Sequence, residues 1–214
     1  ASLSITSPAT YTVTVTGSNG CTSTASIQIN QNIAAPIAVI TNNTGSTELT
    51  CVRTTINLTA SGGTSYSWTN GTIAVGSDAS INITTPGIYT VTATGANGCT
   101  STESITVSQN ITAHTAGITN NTGSTELNCT TTEISLSATG VGTYSWSNNT
   151  GTIGTSSELN VTTPNTYTVT VTGPNGCSTT ASIIVTQNTT PPTAGITNSS
   201  STTELTCITT SISV

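Results

Sequence analysis

The sequence predicts an all-β protein, a tandem array of antiparallel β-sandwich units with a 78-residue repeat. Three observations predict it. Six cysteines at 21, 51, 99, 129, 177 and 207 alternate at intervals of 30 and 48 residues, which sum to 78. Trp68 returns as Trp146, and Tyr11, Tyr89 and Tyr167 stand in phase, as do Pro8, Pro86 and Pro164. Apolar and hydroxyl residues alternate with period two, as in Tyr89-Thr90-Val91-Thr92-Ala93-Thr94. That is the pattern of strands with one wet face. No stretch carries a helical period.

The repeat divides the chain into residues 1–32 (the end of a unit), 33–110 and 111–188 (complete units) and 189–214 (a beginning). This phase reads as a window on a longer chain. Within 33–110 the inward rows run in order: Ile56, Leu58 and Ala60; Tyr66 and Trp68; Ile81 and Ile83; Tyr89, Val91 and Ala93; Ile105 and Val107. Gly95-Ala96-Asn97-Gly98 separates the last two runs. It reads as a hairpin loop, because Asn-Gly suits the positive φ of a type I′ turn. Six or seven short strands in two layers result. Trp68 and Trp146 are the expected core centres, with Tyr89 and Tyr167 beside them. At 78 residues each unit is small for a sandwich and marginal alone.

These residues carry a resemblance. Cys-x-x-x-Thr-Ile-x-Leu-x-Ala-x-Gly, Tyr-Ser-Trp, Pro-Gly-x-Tyr-Thr-Val-Thr and Asn-Gly-Cys-Thr-Ser-Thr are similar to the Ig-like and PKD-like repeats of Bacteroidota, over essentially the whole chain. Such repeats fill very large surface and secreted proteins, including gliding-linked adhesins commonly exported by the type IX secretion system. The resemblance implies an Ig-like sandwich and a cell-surface or extracellular location.

Composition excludes several functions. Of 214 residues, 56 are Thr and 29 Ser, while Lys+Arg is 1 and Asp+Glu is 7. Arg53 alone cannot neutralise nucleic-acid phosphates or lipid headgroups. No apolar run is long enough to span a membrane. Lys–Asn crosslinks, which brace some surface rods, are impossible without Lys.

No catalytic site, metal site or cofactor is expected. His114, the single histidine, takes the linker position held by Pro36 and Pro192 in the neighbouring units. Only Glu48, Glu126 and Glu204 recur in phase, one per unit, too few for a calcium site. No hydroxyl nucleophile has a base partner in its own unit. Eleven Asn-x-Ser/Thr sequons follow mainly from the Thr content. Thr rows on flat sheets invite an ice-binding reading, but Thr is equally the β-branched, soluble residue an uncharged strand requires.

The cysteines leave three pairings open. Sandwich topology puts Cys51 and Cys99 at opposite ends of their unit, about 30 Å apart, whereas bonded Cα atoms lie within about 7 Å. Pairing across the 30-residue interval is worse. Cys51 with Cys177 is therefore favoured, as a staple between consecutive repeats. Cys21, Cys99, Cys129 and Cys207 would then pair with repeats outside this stretch. The alternative keeps the bonds within repeats, Cys51–Cys99 and Cys129–Cys177.

Two functions suit these features. One is a non-catalytic segment of a long extracellular rod, filament or adhesin stalk. Its partners are neighbouring repeats of the same chain, and uncharged edges favour lateral association into fibres. The other is a surface module that binds a glycan or a cell through its loops. The loops carry Gly, Asn, Thr and Ser rather than aromatics, which favours the stalk.

Overall fold

In the computed structural model, residues 2–214 are described, and every regular element among them is a strand. The chain divides into two compact units. The first runs to Thr112 and takes in Asn175–Cys177; the second is Ala113–Pro174 with Ser178–Val214.

The first unit begins with a hairpin, β1 (Ala9–Thr16) and β2 (Thr22–Ile29). Eight strands follow: β3 (Val39–Asn42), β4 (Glu48–Thr50), β5 (Ile56–Ser61), β6 (Ser65–Asn70), β7 (Ile73–Gly76), β8 (Ser80–Ile83), β9 (Gly87–Thr94) and β10 (Thr100–Asn110). They form two sheets, β3-β5-β8 and β4-β10-β9-β6-β7. Period-two alternation puts the apolar residues of both sheets on facing sides. The core is Leu49, Ile56, Leu58, Ala60, Trp68, Ile83, Tyr89, Val91 and Val107. Trp68 is fully buried, and its indole Nε1–H donates to the Asp78 carbonyl at 2.9 Å. Tyr89 is buried too, and its hydroxyl donates to the Thr85 carbonyl at 2.9 Å. Both aromatic rings thereby fill the core without stranding a polar atom.

The second unit repeats this plan with β11 (Gly117–Asn120), β12 (Glu126–Leu127), β13 (Ile134–Thr139), β14 (Thr143–Asn148), β15 (Gly151–Gly154), β16 (Glu158–Val161), β17 (Asn165–Thr172) and β18 (Ser178–Gln187). Its sheets are β11-β13-β16 and β12-β18-β17-β14-β15. Trp146 and Tyr167 are buried, bonded to the carbonyls of Ser156 and Thr163.

Two features differ from the sequence expectation. Each complete repeat has eight strands, and one pairing is parallel: β4 with β10, and β12 with β18. The chain leaves the three-stranded sheet after Asn42, turns through Gly45 at φ 75°, and enters the other sheet as β4. A strand that crosses between layers without reversing must join the second sheet parallel to β10. The hairpin turn also differs. Among the described residues Ser201 is the sole non-glycine with positive φ, so Asn97 does not adopt the type I′ conformation. Gly98 alone is left-handed, at φ 79°, and its N–H reaches the Gly95 carbonyl at 2.9 Å while Gly95 N–H reaches Cys99 O at 2.8 Å. That is a four-residue turn closed by a glycine bulge.

The incomplete stretches behave differently from the complete ones. The β1–β2 ladder is fully formed, yet Val13, Val15 and Ile27 are 57, 62 and 60% exposed. A shallow apolar groove with Tyr11 and Ala25 runs along this face. In residues 189–214 no strand is assigned, although Ser199 N–H still reaches Ser213 O at 3.1 Å, as Asn43 N–H reaches Asn57 O at 3.0 Å.

Candidate functional site

The chemistry of this chain is concentrated where the Asn-Gly-Cys turns lie. Cys51 is bonded to Cys177, with Cα atoms 5.1 Å apart and 126 residues between their positions in sequence. Cys51 sits in the turn after β4. Thr50 N–H donates to the Arg53 carbonyl at 2.8 Å, and Arg53 N–H donates to Thr50 Oγ1 at 3.0 Å. Thr50 is itself buried, so its hydroxyl is committed to holding the turn.

Cys177 sits in the turn between β17 and β18 and is 3% exposed. Gly176 before it has φ 76°, and a Cβ there would lie 2.5 Å from Val52 Cγ1. Glycine is required twice over, by the left-handed backbone and by the approach of Val52. Asn175 completes the arrangement. Its Oδ1 accepts the Cys177 N–H at 3.2 Å. Its Nδ2 donates to Thr112 O at 2.8 Å, Asn110 Oδ1 at 3.0 Å and Asn110 O at 3.4 Å. One side chain thus ties the turn to the segment that leads out of β10.

The same clamp occurs 78 residues earlier. Asn97 Oδ1 accepts the Cys99 N–H at 3.1 Å, and Asn97 Nδ2 donates to Ala34 O at 2.9 Å, Asn32 Oδ1 at 3.1 Å and Asn32 O at 3.3 Å. In the sequence these asparagines stand out only for the turn preference of Asn-Gly. The available signal was their fixed phase relative to Asn32 and Asn110, which stand one repeat apart, Asn110 at the end of β10 and Asn32 just beyond β2.

The remaining cysteines stand apart. Cys99 is half-buried, Cys21, Cys129 and Cys207 are exposed, and none of the four is bonded in this structure. The within-repeat alternative, Cys51–Cys99 with Cys129–Cys177, is not formed, because Cys51 and Cys177 are joined to each other. Trp68, Trp146, Tyr89 and Tyr167 all lie in sandwich cores, not at a surface. His114 precedes β11; its backbone carbonyl accepts the Thr179 hydroxyl, and its Nδ1 is buried without a partner. Among the described residues no three His, Cys, Asp or Glu side chains gather as a metal site.

The outward faces are polar ladders. Thr12 pairs with Ser26, Thr90 with Ser104 and Thr168 with Ser182, at 2.7, 2.8 and 2.8 Å. On the three-stranded sheet, Asn57 Nδ2 donates to Asn82 Oδ1 at 2.8 Å, and Asn43 Nδ2 to Thr59 Oγ1 at 2.8 Å. These hydroxyls and amides satisfy one another across strands.

No protein-family model matches this sequence, and no curated protein matches it. Solved structures do share its architecture. One, concerned with host cell surface retention of a 1.5-MDa bacterial ice-binding adhesin, is 16% identical at TM-score 0.51, covering 85% of this chain and 74% of that one. Another, a Ca2+-stabilized adhesin that helps an Antarctic bacterium reach out and bind ice, is 17% identical at TM-score 0.52, covering 91% and 60%. The three N-terminal domains of the bacteriophage RB49 Highly Immunogenic Outer Capsid protein are 17% identical at TM-score 0.42, covering 72% and 59%. The chain spans about three fifths of the last two. At these identities the likeness to the two adhesin structures is one of fold: the chain is an all-β protein built of Ig-like β-sandwich domains.

Proposed function

We propose that this chain is a non-catalytic structural segment of a long extracellular adhesin stalk or filament, of the kind found in Bacteroidota surface proteins. The observation that carries this reading is the Cys51–Cys177 bond, which joins positions 126 residues apart and so spans most of two sequence repeats. A bond of that reach supports continuity along an array rather than the integrity of one bead. It also belongs to an oxidising compartment, which supports a secreted or cell-surface location.

Extending the same 126-residue register, Cys99 and Cys21 pair with cysteines of preceding repeats, and Cys129 and Cys207 with cysteines of following ones. Neighbouring repeats of the same chain are therefore the first partners. Lateral association between chains is the second, favoured by edge strands such as β7, where Ile73 is 69% exposed and no Lys is present to discourage pairing. The adhesin likeness of fold is compatible with this role.

Electron microscopy of a recombinant stretch of four or more repeats tests the proposal. Stiff filaments with a regular repeat are expected; a flexible string of beads, or saturable binding of a glycan by a two-repeat stretch, would favour the binding-module reading instead.

A further inference from the structure

Asn97 and Asn175 are each followed by glycine and each hold a backbone segment through one side-chain amide. Asn-Gly is the dipeptide in which a backbone nitrogen most readily reaches the preceding side-chain carbonyl, because glycine offers no Cβ to obstruct it. We propose that Asn97 is a modification site: its amide hydrolyses through attack by Gly98, and the product opens the clamp on residues 32–34.

The reaction is balanced with water as the only co-reactant. Hydroxide removes the Gly98 amide proton, and the nitrogen attacks Asn97 Cγ to form a five-membered succinimide. The Cγ–Nδ2 bond breaks, and the nitrogen leaves as ammonia carrying the returned proton. One water then opens the ring at either carbonyl, leaving aspartate or isoaspartate and releasing one proton. Nothing is oxidised or reduced.

The consequence follows from the partners. Asn97 Nδ2 faces three oxygen acceptors, Ala34 O, Asn32 Oδ1 and Asn32 O, at 2.9 to 3.3 Å. A carboxylate has no hydrogen to give, so three bonds become three lone-pair contacts with a full negative charge. Aspartate can retain the Cys99 N–H bond but not the clamp. Isoaspartate adds a methylene to the backbone and displaces the turn.

Position decides which asparagine reacts. Gly98 N–H is engaged by Gly95 O, and Gly20 N–H by Gly17 O, both at 2.9 Å, so the turn must open before either nitrogen attacks. Asn19 and Asn97 are exposed; the Asn19 turn opens to water with no clamp to break, and the Asn97 turn gives up only its own bonds to residues 32–34. Asn175 is 6% exposed, beside the Cys51–Cys177 bond and under Val52. Its turn opens only if that packing yields. Asn19 and Asn97 are therefore labile, and Asn175 is protected.

The test uses the full oxidised chain held at pH 8.5 and 37 °C, with peptide mass spectrometry resolving amide from acid at each turn. Asn19 and Asn97 are expected to convert at least roughly tenfold faster than Asn175, a gap that narrows on reduction of the disulfide. Equal rates at all three sites in the oxidised chain would overturn the assignment. Hydrogen exchange reads the clamp separately. Asn97→Asp and Asn97→Ala should both accelerate exchange at the amides around 32–38, Asp the more, while the core amides of β5 and β9 stay protected. Unchanged exchange at 32–38 in both variants would show that the amide is not a lock.

Discussion

The turns 95–99 and 173–177 have the same Asn-Gly-Cys sequence and the same left-handed glycine, at φ 79° and 76°. Each asparagine makes the same clamp, to within about a tenth of an ångström. Yet Asn175 and Cys177 are buried and Cys177 is bonded, whereas Asn97 is exposed and Cys99 unbonded. The difference is the presence of Cys51 and Val52 against one turn and not the other. Local sequence sets the shape of a turn; what covers it sets how much that shape is worth.

Removing the bond should have the greatest effect on the difference between the two turns. Reduction, or Cys51→Ser, should destabilise the chain by about 2–5 kcal/mol, since the closed loop is long. Calorimetry with and without reductant measures this. Stretched end to end in single-molecule force experiments, the oxidised chain should be roughly 430 Å shorter than the reduced one, at about 3.4 Å per residue for the residues the bond bypasses. The within-repeat alternative, Cys51–Cys99 with Cys129–Cys177, would give two separate releases of about 160 Å each.

Glycine substitutions should also separate the two turns. Gly98→Ala should cost about 1 kcal/mol, from left-handed strain alone, because nothing lies within 4 Å of its added Cβ. Gly176→Ala should cost about 2–3 kcal/mol, since the same strain is joined by overlap with Val52. Denaturant midpoints of the two variants provide the measurement.

Asparagine substitutions should differ in the same direction but less. Asn175→Ala leaves acceptors at Asn110 and Thr112 without their donor beneath a buried turn, at a cost of about 2 kcal/mol. Asn97→Ala lets water replace the amide, at about 1 kcal/mol or less. Equal losses by chemical denaturation would mean that burial adds nothing to the clamp.

The smallest expected effect lies on the outer faces. Thr90→Val and Thr168→Val each remove an exposed cross-strand hydroxyl pair and should change stability by no more than about 0.5 kcal/mol. The two repeats should respond alike there, because both ladders face water.

Much of this architecture is legible in the sequence because it is periodic. The alternation through Tyr89, Val91 and Ala93 names the inner face of β9, and the 78-residue spacing carries that assignment to Tyr167, Val169 and Val171. Alternation is silent where it has too few residues to act on. β4 and β12, three and two residues long, are too short to declare a direction, and their parallel pairing with β10 and β18 follows from the layer crossing before them. The Asn-Gly turn misled in detail. The asparagine keeps a negative φ in the unclamped Asn19 turn as in the clamped ones, and the glycine alone takes the positive φ, because the bulge after a four-residue turn needs only one left-handed residue.

The repeat, the strand character and the inner faces are written in the sequence, because each depends on residues adjacent or evenly spaced along the chain. The same alternation written into Val13, Val15 and Ile27 produced a correct ladder with a bare face, since a ladder needs only its neighbouring strand. Packing settles how completely each face is covered, which of the pairings left open for Cys51 is formed, and the value of the asparagine clamp. Those depend on groups brought together from positions 63 to 126 residues apart, and no local pattern encodes that approach.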